Sequence, residues 1–461
     1  MSRTATGNAI YMKRKTCLKK SVSLIIVAVL TAALPQAISA PTPAWASRPD
    51  IAQAAVVDLK ESVLFALNRD PSVNEQAAQL GLGEGMVDEA RSAWFPQVSL
   101  SGSTGHSRTT DSSGSMNNSA QWGMSITQLV YDFGRTNSSI DKQSSQRDSY
   151  RFQLMGTFTS VAEETALAYI DILRYQALVG VSEEGLKALD NVRQLSEYRA
   201  DAGLNSRSEV LQTETRMAGM QSTLEQYKAA LESATARFGV LTGITAKNYR
   251  PLPDALAVEQ KSLSDIDYSV IPSVMAAEAY EQASRHGVEG AKSEHWPSVS
   301  VRGGRTRYES SNRNYWDDEI QVVVNAPIYQ GGAVTARIAQ AQEARKMAAS
   351  RVEQAKFDIL QKASVAAADW RGAQGREAAG TLQHRNAIRT RDVYKDEYKL
   401  GKRSLNDLLS VEQDVYQAAY SQTLADFDGW IAAVSYAAAT DNLLPLVGIQ
   451  KNITSTLPEL R

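Results

Sequence analysis

The side chains that most often do chemistry are sparse in this chain and poorly spaced for it. Its four histidines, His106, His286, His295 and His384, are scattered, whereas a zinc site needs several ligands at short, repeated spacings. Each reads better as a solvated or capping side chain. The segment Gly81-Leu82-Gly83-Glu84-Gly85 imitates a phosphate-binding loop, but it lacks the Lys-Ser/Thr that would contact phosphate and does not follow a strand. It reads as a weak spot in a helix. The single cysteine, Cys17, has no second thiol to pair with. These residues point away from an enzyme, and they imply no metal and no cofactor.

The ends and the charge balance say where the chain works. Lys13, Arg14, Lys15, Lys19 and Lys20 precede an apolar run over 22–34, and Ala44-Trp45-Ala46 is a small-x-small cleavage site. That run is shorter than the roughly 20 residues a spanning helix needs, so 1–46 is expected to be an export signal cut after Ala46. Cys17 would leave with it, so it cannot be a lipidated first residue of the processed chain. Processing removes six basic and no acidic residues and takes the formal net charge from −2 to −8. A nucleic-acid partner is disfavoured by that balance.

With no reactive cluster to position, the long elements themselves carry the meaning. Two stretches, 135–241 and 333–442, contain no proline, the residue that most reliably ends a helix. Over 210–241 the apolar positions step by three and four in alternation: Met217, Met220, Leu224, Tyr227, Leu231, Ala234, Phe238 and Leu241. That is the seam of a coiled coil. Each stretch breaks at a glycine, Gly203 or Gly401, followed by a serine suited to cap a new helix, Ser206 or Ser404. At 1.5 Å per residue, the first arm of each hairpin is about 100 Å long and the return arm about 55 Å.

The order of elements is duplicated. Pro71-Ser72-Val73 and Phe95-Pro96-Gln97-Val98-Ser99 match Pro272-Ser273-Val274 and Trp296-Pro297-Ser298-Val299-Ser300 at a shift of 201. Tyr131-Asp132-Phe133-Gly134 and Gly203-Leu204-Asn205-Ser206 match Tyr329-Gln330-Gly331-Gly332 and Gly401-Lys402-Arg403-Ser404 at 198. The expected division is a first repeat over 47–242, a linker over 243–264, a second repeat over 265–442 and a tail over 443–461. Each repeat opens with helices and two alternating stretches, about 97–106 and 120–130, then about 298–307 and 318–328, which have the period of strands. The helices at 72–94 and 273–295 add about 35 Å each. Stacked on the return arms, they nearly match the long arms, giving two antiparallel tracks per repeat.

Strands of about ten residues can cross a bilayer when tilted. Trp94, Trp122, Trp296, Tyr315 and Trp316 stand near strand ends, where a membrane girdle would place them. Four strands cannot close a barrel, and an open edge is not tolerated in lipid. A membrane protein of this kind must therefore pool strands from several copies. The alternative is a soluble periplasmic coiled-coil scaffold capped by β-hairpins.

On Val130-Tyr131-Asp132-Phe133-Gly134, Pro327-Ile328-Tyr329-Gln330-Gly331-Gly332, the hairpin turn over 398–409 and the duplicated plan, the chain resembles the TolC-like outer-membrane channel proteins of Gram-negative bacteria. The resemblance implies a mainly α fold with a small β membrane portion: a homotrimer with a twelve-stranded barrel in the outer membrane and an α-helical tunnel in the periplasm. It implies docking on a periplasmic adaptor and an inner-membrane pump. Type I protein secretion is the expected cargo route, because many drug-efflux relatives carry a lipidated cysteine; small-molecule efflux is the alternative. It further implies that Tyr398 and Arg403 link to Ser208 and Glu209 to hold the far end shut. Asp407 would line an acidic constriction, with Ser410 where a second aspartate is expected, and Gly203, Leu204, Gly401 and Lys402 would form the adaptor-docking tips.

Overall fold

The computed structural model describes residues 52–107, 117–252, 266–310, 314–449, 451–452 and 459–460; the export signal expected over 1–46 lies outside them. β1 (Ala52–Val57) leads into α1 (Leu59–Arg69), capped by the Asp58 carboxylate on the Glu61 amide. α2 (Pro71–Ser92) begins on Pro71, where the missing N–H would have had no helical partner. The first strand pair, β2 (Gln97–Ser107) and β3 (Asn117–Tyr131), precedes the first helical hairpin, α3 (Arg135–Asp201) and α4 (Arg207–Thr242). After β4 (Ile244–Tyr249) and one 3-10 turn (Tyr268–Val270) the order repeats as α5 (Pro272–Ser293), β5 (Ser298–Ser310), β6 (Asn314–Asn325), α6 (Ala333–Lys399) and α7 (Leu405–Ala439). α8 (Leu443–Leu446), β7 (Lys451–Asn452) and β8 (Glu459–Leu460) close the described chain.

α3 and α6 each hold 67 residues, about 100 Å of uninterrupted helix. Each reverses on a left-handed glycine, Gly203 at φ +72° and Gly401 at φ +73°, a conformation that favours glycine because it has no Cβ. Ser206 then caps α4, and Ser404 forms a reciprocal capping box with Asp407 at the start of α7. α2 and α4 both pack on α3; α5 and α7 pack on both α3 and α6. The helical part is therefore four tracks side by side, α2/α4, α3, α5/α7 and α6. Small side chains let the tracks approach: Ala348, Ala363, Ala366, Ala367 and Ala373 of α6 are buried, and a Cβ on Gly380 would lie 3.3 Å from Gln422 Cα.

The largest core lies midway along α3, where α1, β1, β4 and the end of α7 converge on Tyr169. The Tyr169 ring packs edge-on to Tyr249, and Phe238 packs against both rings. Its hydroxyl donates to the Arg250 carbonyl at 2.6 Å, with the Val57 carbonyl 3.1 Å away. β1 and β4 pair in parallel across this layer, so the stretch expected to be a linker over 243–264 begins with a strand. Gly83 carries a packing role that the sequence did not suggest: a Cβ there would meet Tyr150 Cδ2 at 2.9 Å and Arg147 Cα at 3.1 Å. Among the described residues no helix is long and apolar enough to cross a membrane.

The four longer strands form one antiparallel sheet in the order β2-β3-β5-β6. β5 and β6 reach further from the helices than the alternation indicated, and β6 stops at Asn325, short of Pro327, which has no N–H to donate. Gly123 sits where β3 and β5 approach most closely. A Cβ there would lie 2.6 Å from Thr306 Oγ1 and 2.8 Å from Thr306 Cα and the Arg305 carbonyl. Gly123→Ala is expected to cost about 1–3 kcal/mol, read as a lower denaturant midpoint than the wild type; an unchanged midpoint would mean that the strands part freely.

Candidate functional site

Register divides the sheet into two unlike faces, because directly paired residues point the same way and neighbours along a strand point oppositely. On one face the rows read Val98, Ile126, Gly303, Ile320, then Leu100, Met124, Arg305, Asp318, then Gly102, Trp122, Arg307, Trp316. Val299, Val301, Val322 and Val324 continue it toward the helices. The opposite face carries Ser99, Ser101, Ser103, Gln121, Ser125, Thr127, Arg302, Thr306, Asp317, Glu319 and Gln321. The apolar side chains are left uncovered: Leu100 is 77% and Ile320 88% exposed. Such a sheet has one face suited to hydrocarbon and one suited to water.

The aromatics expected to form a girdle lie at both ends of the sheet, with Tyr315 on a different side from the one expected. Trp94 and Trp296 lie at the helix end, where the Trp94 indole donates to Asn137 Oδ1 at 3.2 Å and Trp296 stacks on Phe133. Trp122 and Trp316 meet edge to face at the distal end, 5.1 Å between centroids. Tyr315 belongs to the other face, stacked on Tyr308; as the neighbour of Trp316 in one strand it cannot share that residue's side. Tyr131 and Phe133, which join the helix-end cluster, escaped the sequence reading. Phe133 has φ +54°, a backbone state seldom seen for a bulky residue, and only the adjacent Gly134 hinted at the tight turn.

At the opposite end of the helices, the two reversals are tied together. The Tyr398 ring is buried, and its hydroxyl donates to Glu209 Oε2 at 3.1 Å and accepts from Asn205 Nδ2 at 2.7 Å. Asn205 Nδ2 also donates to Glu209 Oε2 at 2.6 Å. Burial, then the negative charge of Glu209, pushes the Tyr398 phenol up to about 12. Arg199 completes the tie. Its Nη1 donates to the Tyr398 and Lys399 carbonyls, both at 2.9 Å, and its guanidinium lies 4.9 Å from the Tyr398 ring centroid. Those carbonyls end α6 and need donors, the signal by which Arg199 could have been found.

The remaining tip residues stand apart from this tie. Arg403 does not meet Glu209 within the chain: its Nε donates to Glu397 at 2.8 Å and its guanidinium lies over the Tyr394 ring. The turn at Gly401 folds the side chain back on its own helix, and Tyr398 and Asn205 already occupy Glu209. Ser208 donates to Ser206 Oγ at 3.0 Å. Asp407 accepts from the Ser404 amide at 3.2 Å as part of the capping box. Gly203, Leu204, Gly401 and Lys402 are exposed at the extreme ends of the hairpins. Among the described residues, no three of His, Cys, Asp or Glu gather as a metal site.

Comparison with known proteins matches both ends to one group. The profile of the family described as outer membrane efflux protein matches residues 65–243 and 271–434. The chain is 22% identical over 392 residues to the outer membrane efflux protein BepC of Brucella suis, covering 84% of this chain and 85% of that one. It is 23% identical over 405 residues to the outer membrane protein TolC of Vibrio cholerae, covering 84% and 91%. Among solved structures it resembles the outer-membrane channel OprN, with a TM-score of 0.75 at 20% identity over 83% of this chain and 90% of that one. The outer membrane protein VceC of Vibrio cholerae superposes with a TM-score of 0.73 at 14% identity, over 83% and 95%.

Proposed function

We infer the function of this chain from one premise: it belongs to the outer membrane efflux protein family. It is a Gram-negative outer-membrane channel of a tripartite efflux machine, and not an enzyme. Three copies, we propose, pool their sheets into a twelve-stranded barrel, with β6 of one copy pairing β2 of the next. The observation that carries this is the two-faced sheet. Its outer strands have open edges within one chain, and an open edge in lipid would leave several unpaired backbone groups. Ring closure pairs every edge, turns the apolar face to lipid and gives the polar face to the lumen.

The helical tracks of the three copies would continue the lumen through the periplasm to the tips. Gly203, Leu204, Gly401 and Lys402 are proposed to meet a periplasmic adaptor, which couples the duct to an inner-membrane pump. Small-molecule efflux is the cargo class that the relatives' descriptions support; secretion of a polypeptide is the second reading. Deleting the gene in its host separates them: dye accumulation with an unchanged medium supports efflux, and loss of a secreted polypeptide without dye accumulation supports secretion.

Closure is proposed at the tips, and Asp407, three residues before Ser410, is proposed to line the narrowest ring. Tyr398, Asn205, Glu209 and Arg199 hold the two reversals of one copy together, while Arg403 and Ser208, both exposed, are proposed to bridge to the neighbouring copy. Exposed polar links of this kind are individually weak, so a docking partner can break them. The double variant Arg403→Ala, Tyr398→Phe is expected to raise single-channel conductance in planar bilayers. Unchanged conductance would exclude these residues from the closure.

A further inference from the structure

Among the described residues, Arg305 and Arg307 stand with Asp318 and Glu309 on the otherwise apolar face of the sheet, at the end away from the helices. Arg307 lies in one row between Trp122 and Trp316, and Arg305 lies one row nearer the helices beside Met124 and Asp318. Both guanidiniums sit over the Trp316 ring, 4.7 Å from its centroid for Arg305 and 5.5 Å for Arg307. Among the described residues each has one carboxylate companion, Asp318 at 3.2 Å from Arg305 Nε and Glu309 at 3.7 Å from Arg307 Nε. A guanidinium has five N–H donors, so one companion does not saturate either arginine. The Arg305 side chain is 61% exposed.

Depth fixes what this cluster would meet. Arg307 lies eight residues along β5 from Val299, about 27 Å of strand and about 20 Å of membrane height at the usual tilt. The apolar rows between them make up most of the ~25 Å apolar band of a membrane barrel, and the helices leave from the Val299 end. The arginine row therefore sits at the headgroup level of the leaflet facing away from the periplasm. Arginine recognises phosphate through paired, charge-assisted hydrogen bonds, and an indole face beside it accepts the C–H face of a sugar ring.

We propose that Arg305, Arg307, Trp122 and Trp316 form a docking surface for a phosphorylated glycolipid of the outer leaflet, with phosphate on the guanidiniums and sugar against the indoles. Asp318 and Glu309 keep the row neutral before lipid arrives and compete with the phosphate afterwards. The assignment rests on the barrel proposed above, because only that arrangement turns this face to lipid.

The test is native mass spectrometry of the purified full-length channel in detergent. It is titrated with bis-phosphorylated lipid A, the same lipid with its phosphates removed, and phosphatidylglycerol. The wild type is expected to retain the phosphorylated glycolipid at least ~10-fold more than either of the others, since one good charge-assisted contact is worth about that factor. Arg305→Ala with Arg307→Ala should abolish the preference. Arg302→Ala, on the opposite face, should leave it intact, and Asp318→Asn should strengthen it. Equal retention of the dephosphorylated lipid would overturn the phosphate contact, and equal retention of phosphatidylglycerol would reduce the surface to a general anionic one. A preference surviving in the double-alanine variant, or an unchanged preference in Asp318→Asn, would also overturn the assignment. If the double variant does not assemble, Arg305→Gln alone should reduce the preference, and no reduction counts against it. A channel that conducts but shows no lipid preference defeats this inference alone; a water-soluble monomer defeats the barrel as well.

Discussion

Ile320→Arg should prevent recovery of the assembled channel from outer membranes, while the same residue placed one position later, Gln321→Arg, should be tolerated. Ile320 pairs with Gly303 in the middle row of the apolar face, halfway between the rows of Val299 and Arg307, and it is 88% exposed in a single chain. An arginine at that depth costs about 2–4 kcal/mol in a barrel, and three copies bring the cost to about 6–12 kcal/mol, comparable with the whole stability of many domains. Gln321 lies on the opposite face, among Arg302, Glu319 and Thr127, where water would solvate the new charge. The measurement is the amount of oligomer extracted from membranes in each strain. If both arginines are tolerated, or both forbidden, the two faces have been assigned wrongly.

The second large effect is expected at Asp132. Its carboxylate is buried in the turn before α3 and accepts from the Thr136 amide at 2.7 Å, the Thr136 hydroxyl at 2.5 Å and the Gly134 amide at 3.2 Å. Asp132→Ala removes a helix cap worth about 0.5–2 kcal/mol and strands a buried hydroxyl at about 1–3 kcal/mol. The combined loss of about 1.5–5 kcal/mol per copy should lower the thermal midpoint of helix unfolding by circular dichroism. Gln330 holds the matching position before α6, where Gly332 provides no side-chain cap. The backbone turn is the same, with Ala333 N donating to the Gln330 carbonyl at 3.1 Å and Arg135 N to the Asp132 carbonyl at 3.3 Å. Gln330→Asp should therefore stabilise the turn by about 1 kcal/mol per copy and raise the midpoint. A midpoint that falls in Gln330→Asp, or is unmoved in Asp132→Ala, would show that these turns do not limit the helices.

The parts of the fold that repeat a simple period were legible in the sequence. The α3–α4 hairpin follows from an absence of proline and an unbroken three-four seam, and Met220, Leu224, Ala234 and Phe238 are buried along it. Alternation likewise exposed the two-faced sheet. What the period could not give were contacts made across the chain by residues with ordinary local roles. Asn205 looks like a turn residue until Tyr398, 193 positions away, is brought to its side chain. Arg199 looks like one more charge on a helix end, and Arg403 appeared to be the linking arginine because the turn motif places it beside the tip. Within one copy its guanidinium turns back to Glu397, a contact the motif does not announce, and the link proposed for it runs to a neighbouring copy. Nearness to a strand end puts both Tyr315 and Trp316 among the girdle aromatics, although neighbours in a strand point to opposite sides.

Only two of the four tracks are continuous. α3 passes the Tyr169 layer without a break and α6 runs its full length, but α2 gives way to α4, and α5 to α7, near the middle of the stack. Bending stiffness therefore alternates across the wall, rigid rods beside jointed ones. The breaks fall in the Tyr169 layer, so the largest core of the chain straddles the joints and fastens the interrupted tracks to the continuous rods.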